Sequence, residues 1–273
     1  MNDIGRIFQK SADIQEFLRL PKYDLYKKSG LNIENIAKKH GLSHLALYEV
    51  KGNDIKLIQG VNENKTIISP ASTIKLAVAS AIMEAIKKRK IKLDDELIVS
   101  DKTKSDGEKL TGKKTVRELL KLMLQESNNT ATNMLVEALG GPGDPINKQF
   151  KSLGFNSIKF HRYLSQERNK SPKKNEASVH DLAKSMAYIS SYNNGDVKNL
   201  VSGSLRNTTY NHQVPGEMLG KAGYISNREG YVSYVEIEGK KFIVAGYITE
   251  EPFAGKRSRM RNAIHEVVKK IKA

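Results

Sequence analysis

Strand-like alternation is confined to the two ends of this chain, and helical periodicity fills the stretch between them. Alternating segments run over Leu45 to Val50, Ile55 to Gln59 and Thr66 to Ser69, and again over Gly230 to Glu238 and Lys241 to Thr249. The last two are joined at Glu238-Gly239 as a hairpin. Antiparallel strands from both ends share one sheet only if the helical block is an insertion, which predicts two lobes with a cleft at their junction. The expected class is α/β in the α+β sense: an antiparallel sheet of N- and C-terminal segments with flanking helices, plus an inserted all-helical lobe. The expected boundaries are an extension of unassigned role at 1–30, an α/β lobe from 31–69 and 210–273, and a helical lobe at 70–209.

The helices have local signals of their own. A short amphipathic helix over Leu31 to His40 stops at Gly41, and a weaker one is expected near Ala12 to Leu20. After Pro70, the recurrence of Ile74, Val78, Ile82 and Ile86 predicts a long helix with one buried stripe. Thr115-Val116-Arg117-Glu118 is a capping box opening a helix to about Gln125. Another helix starts near Thr130 and ends at Gly140-Gly141-Pro142; further ones cover Val179 to Ser191 and Ser258 to Lys272.

Composition narrows the chemistry. The absence of cysteine excludes disulfides, thiolate metal sites and a cysteine nucleophile. The net charge of +16 draws the chain towards anionic surfaces, and anionic envelope polymers fit it better than a specific nucleic acid, because basic runs such as Lys87-Lys88-Arg89-Lys90 lack interleaved aromatics. No apolar run of secretory-signal or membrane-spanning character is visible, so the chain as given is expected to be soluble, and monomeric. His40 and His44 straddle Gly41 and no carboxylate completes a metal set, so no metal and no cofactor are assigned; His161 is read as structural.

Three short motifs could carry chemistry. Ser72-Thr73-Ile74-Lys75 puts a hydroxyl and an amine on one face of a helix start, where a desolvated lysine can accept the serine proton. Ser127-Asn128-Asn129 lies in the joint between two helices, and Lys221-Ala222-Gly223 lies just ahead of the terminal hairpin. Each has a rival elsewhere, at Ser171-Pro172-Lys173-Lys174, Ser191-Tyr192-Asn193 and Lys28-Ser29-Gly30, so each alone is also readable as a turn or cap.

In this order the three motifs resemble those of class A serine β-lactamases and penicillin-binding serine hydrolases. The likeness runs from about Leu31 to the C-terminus and takes in Leu93-Asp94-Asp95-Glu96-Leu97, Thr115 to Leu120, and Asn129-Thr130-Ala131-Thr132-Asn133 through Pro142. It implies that Ser72 attacks the lactam carbonyl, with Lys75 relaying its proton and Ser127 passing a proton to the departing nitrogen. It further implies that Asn129 holds the substrate's side-chain amide and that Lys221 keeps the cleft positive for its carboxylate. By the same resemblance Gly223 and Tyr224 are implied to line the substrate site, with the N–H groups of Ser72 and Tyr224 as its oxyanion hole. A periplasmic or extracellular location, after removal of a signal, is implied in the same way.

Three positions depart from the family pattern. Asn128 stands where the family has Asp, and Ala222 where it usually has a hydroxyl residue, for which Ser226 or Arg228 could substitute. In Arg162-Tyr163-Leu164-Ser165-Gln166-Glu167-Arg168-Asn169 the expected place of the deacylating glutamate holds Leu164. Glu167, three residues later, is either a replacement base or a solvated loop carboxylate. The resemblance implies a hydrolase that opens β-lactam rings with impaired deacylation. Two alternatives stay open: a D-Ala-D-Ala peptidase-like protein that releases slowly, and a non-catalytic envelope-binding module.

Overall fold

The structure, a computed structural model, describes residues 30–166, 172–206, 216–225, 228–249 and 256–272. The helix expected near Ala12 to Leu20 lies outside the described residues. Among the described residues the first element is α1 (Ile33–His40), capped by the Asn32 side chain and closed by Gly41 at φ 67°. Strands β1 (His44–Lys51) and β2 (Asp54–Val61) follow as an antiparallel pair.

Strand β3 (Ile67–Ile68) was expected to continue that sheet, and it does not. It pairs with β6 (Glu176–Ala177) in a separate two-stranded sheet. Ser69 is left-handed at φ 58°, and Pro70 has no N–H for a ladder, so the chain turns away at this point.

A 3₁₀ turn, Ala71–Ile74, leads into α2 (Lys75–Lys87), so the regular helix starts later than its sequence suggested. Ten residues of α2 are buried, more than a single stripe, because other helices pack on several sides of it. A small ribbon, β4 (Glu96–Ile98) with β5 (Lys113–Thr115), precedes α3 (Val116–Gln125) and α4 (Asn129–Ala138). Helices α5 (Asp144–Ser152), α6 (Val179–Ser191) and α7 (Gly195–Arg206) complete this part.

The chain then returns with β7 (Glu217–Ile225), β8 (Arg228–Ile237), β9 (Lys240–Ile248) and the closing helix α8 (Lys256–Lys272). The main sheet has the order β2-β1-β9-β8-β7, so strands from the two ends meet where β1 pairs β9 and the helical block is the insertion between them. The β8–β9 turn places Glu238 at φ 51° and Gly239 at φ 72°, as a tight right-twisted hairpin demands.

The two faces of the sheet carry separate cores. One is buried under α1 and α8 through Leu45, Leu47, Val244, Ala263 and Val267; the other, with Tyr48, Val232, Ile243 and Ala245, is continuous with α2, α3, α4 and α6. Side chains alternate across β7, so Ala222 joins the first core while Lys221 and Gly223 face the helical block. This alternation aims the edge strand at the helix that carries Ser72.

Candidate active site

Ser72 sits inside the 3₁₀ turn, after Ser69 and Ala71, which have φ of 58° and 52° on either side of Pro70. Left-handed backbone at non-glycine residues costs on the order of 1 kcal/mol each and persists only when the surroundings enforce it. The enforcement starts with β7, whose backbone runs directly against the turn. A Cβ on Gly223 would stand 2.8 Å from the backbone nitrogens of both Ser72 and Thr73, so only glycine permits this approach.

Lys75 is fully buried one turn further on, and its Nζ lies 3.1 Å from Ser72 Oγ, 3.2 Å from Ser127 Oγ and 2.8 Å from Asn129 Oδ1, with the Ser127 carbonyl as a further partner. Burial pushes this amine well below its ordinary pKa, and the positive charge of Lys221 adds to the effect, against an opposing pull from Glu108. A neutral amine has two protons and one lone pair. The Ser127 carbonyl and Asn129 Oδ1 can only accept, so they take the two protons and leave the lone pair for the Ser72 hydroxyl. This is the geometry that a neutral Lys75 amine needs to act as a general base.

Ser127 lies at the α3–α4 joint with φ 59°, and its Oγ is also 3.0 Å from Lys221 Nζ. Burial brings Lys221 down to about 7. One hydroxyl thus bridges two buried lysines, which is the arrangement a proton relay needs. Asn128 takes the role of a plain helix cap: its Oδ1 accepts from Ala131 N at 2.7 Å. The cap orients the triplet so that its first and third residues face the cleft.

Asn129 donates from Nδ2 to Ser165 Oγ at 3.0 Å, while its backbone N–H and that of Thr130 both donate to the Glu108 carboxylate at 2.7 Å. Glu108 anchors the start of α4 from 21 residues away, and no local signal in the sequence marks it. Asn133, one turn along α4, pins the backbone of Leu164 by accepting from its N–H at 2.8 Å and donating to its carbonyl at 3.1 Å. Leu164 lines the cleft together with Ser69 to Ser72, Asn129, Ser165, Tyr224 and Ile225. Leu164 presents an apolar side chain at this point of a mixed wall, and no carboxylate is among the described lining residues.

Of the sequence candidates, Ser72, Lys75, Ser127, Asn129, Lys221, Gly223 and Tyr224 are brought together. Glu167 and Ser226 lie outside the described residues. Arg228 donates from its guanidinium to the Ile68 carbonyl and is not part of the cleft wall. The rival Ser191 bonds the Gly52 carbonyl, remote from these lysines. His40 pairs with Glu266 at 2.9 Å, His44 with the Ser43 hydroxyl at 2.9 Å, and His161 lies 3.8 Å from Glu176.

Solved structures share the fold at low identity. PBP-A is 20% identical with a TM-score of 0.71, over 91% of this chain and 94% of that one. A Leu-to-Glu variant of PBP-A, solved as an acyl-enzyme complex with penicillin G, is 20% identical with a TM-score of 0.70, over 91% and 95%. A class A β-lactamase from Mycobacterium abscessus is 18% identical with a TM-score of 0.70, over 88% and 98%. No curated protein sequence matches. The sequence model of the β-lactamase enzyme family matches residues 32–273, nearly all of the described fold and every residue of the cleft, and the chain belongs to that family.

Proposed function

We propose that this protein is a serine acyl-enzyme that reacts with β-lactams and releases the product slowly. The observation that carries this reading is the buried Lys75 amine, held 3.1 Å from Ser72 Oγ with its protons directed to other acceptors. Ser72 Oγ bonds to the lactam carbonyl carbon as Lys75 takes its proton. The ring C–N bond then breaks, and the nitrogen takes a proton through Ser127, with Lys221 behind it. The carbonyl oxygen is read as held by the N–H groups of Ser72 and Tyr224, the substrate side-chain amide by Asn129, and the carboxylate by the charge of Lys221. Gly223 lets this strand come close enough to do so. The lobes drawn at 31–69 with 210–273, and at 70–209, are part of the proposal, since the cleft lies between them.

Slow release is favoured by Leu164. An acyl-serine ester needs a carboxylate to draw a proton from a positioned water, and here the pinned backbone presents a leucine. The acyl-enzyme of the PBP-A variant with penicillin G, and the class A β-lactamases among the similar structures, support the substrate class. The test is to mix the protein with a penicillin and follow bound mass and free drug over time. A fast one-to-one adduct followed by slow loss of drug is expected; many rapid turnovers would make it an efficient β-lactamase, and no adduct would leave a binding module. Glu167→Gln is expected to change little. Fast wild-type hydrolysis that collapses in this variant, with adduct accumulating, would make Glu167 the deacylating base.

A further inference from the structure

The turn that carries Ser72 has no side-chain cap, and two of the three residues leading to it are left-handed. Something other than local preference holds it. Beneath it stands Tyr247 of β9, fully buried, whose ring crosses the sheet over Gly230 of the neighbouring strand. A Cβ on Gly230 would lie 2.1 Å from the Tyr247 ring, so the glycine leaves room for this one side chain. The Tyr247 hydroxyl donates to the Pro70 carbonyl at 2.8 Å. The Thr73 hydroxyl reaches the same carbonyl at 2.6 Å, and the two hydroxyls touch each other.

We infer that Tyr247 is a positioning residue for the nucleophile, which fixes the Ser72 turn from inside the sheet through Pro70 and Thr73. Those two residues lie on either side of Ser72 in the chain, so one buried hydroxyl meets a backbone carbonyl before the reacting atom and a side-chain hydroxyl after it. Tyr247 touches neither substrate nor Lys75, and its effect passes only through the geometry of the turn. Burial holds the phenol well above its ordinary pKa, so it remains a donor throughout the working range of pH. A tyrosine is needed because only a long side chain with a terminal hydroxyl, lying flat over a glycine, spans from β9 to the turn.

The inference rests on Ser72 being the nucleophile, so its test uses two reagents. The rate of covalent labelling at saturation, and the concentration giving half that rate, are measured with a penicillin and with a fluorophosphonate, which reports serine nucleophilicity without any lactam. Tyr247→Phe, which keeps the ring over Gly230, is expected to lower the saturating rate with both reagents, at most by roughly 10²-fold for a displaced reacting atom, and to leave the half-saturating concentration unchanged. Thr73→Val should do the same, and the double variant should be no slower than the slower single one, since both act on one carbonyl. Labelling of Tyr247→Phe at the wild-type rate, or losses that multiply in the double variant, would overturn the inference. If Tyr247→Phe does not fold, Thr73→Val decides, and a wild-type rate there overturns it. Wild-type protein that takes the fluorophosphonate but no penicillin sinks the proposed substrate alone, and the tyrosine is then judged on the fluorophosphonate. Labelling of Ser72 by neither reagent sinks both.

Discussion

Helices α3 and α2 begin in opposite ways. At α3, Thr115 accepts from the Glu118 N–H at 3.2 Å while the Glu118 carboxylate accepts from the Thr115 N–H at 2.7 Å, so two free donors are satisfied within four residues. At α2 there is no side-chain cap, the approach is left-handed at Ser69 and Ala71, and the first helical residue is a buried lysine. The first start is assembled from its neighbours. The second is held from a distance, by Gly223 on β7 and by Tyr247 on β9. Local rules are obeyed where only stability is at stake, and broken where a hydroxyl must meet a buried amine.

If that contrast is right, changes at the two starts should separate activity from stability. The largest effect is expected for Ser72→Ala, which should abolish covalent labelling by a reactive penicillin with the fold unchanged, checked by intact mass and circular dichroism. Labelling at the wild-type rate would put the nucleophile elsewhere. Next is Lys75→Met, which should slow acylation by roughly 10² to 10⁴, the range for lost general-base assistance. It should also raise the melting temperature, by the equivalent of roughly 1 kcal/mol, because the buried amine is retained at a cost to stability. A variant that is both as fast as the parent and less stable would show that α2 begins as an ordinary helix.

A smaller effect, visible in pH, is expected from Lys221. Burial lowers it to about 7, so it is charged below that pH and neutral above. An anionic penicillin should therefore bind best on the acid side, with the half-saturating concentration rising as pH climbs through about 7. Losing one charge-assisted contact of about 1.5 kcal/mol corresponds to about tenfold. Lys221→Met should give a flat profile at the weaker level. A wild-type profile equally flat across this interval would remove Lys221 from carboxylate recognition.

The same contrast explains what the sequence disclosed. Helices α1, α3, α4 and α6 and the β8–β9 hairpin were legible because caps, periodicity and turn residues lie next to one another in the chain. Strand β7 was missed as a strand: Gly220, Lys221 and Gly223 break the alternation of a half-buried strand, Gly220 making room for the Tyr231 ring of the neighbouring strand while Lys221 and Gly223 face Ser127 and the Ser72 turn. The three motifs could be ordered along the chain, which was enough to bring Ser72, Lys75, Ser127 and Lys221 together on paper. Glu108, Asn133 and Tyr247 could not be found that way, because each acts on a backbone group far off in sequence and has no local pattern. The two-residue strand β6 leaves too little sequence to show a period, so β3, read from the alternation over Thr66 to Ser69, was given the wrong sheet partner.

The smallest change sharpens the comparison from the other side. Thr115→Ala removes the hydroxyl that accepts from the Glu118 N–H and leaves that donor to water at a surface where Glu118 itself is exposed. Loss of such a cap costs about 1 kcal/mol, so the denaturation midpoint should fall measurably while the slope of the transition stays the same. Acylation should be unaffected. The cap contacts neither Ser127 nor Lys75, and α3 keeps its buried face of Val116, Leu119, Leu120 and Met123 against the core. A drop in acylation beyond about twofold, with the protein still folded, would mean that the α3 start is coupled to the Ser127 joint at its other end. In that case the two kinds of helix start would not be separable, and the constraint on the site would extend through the whole of α3.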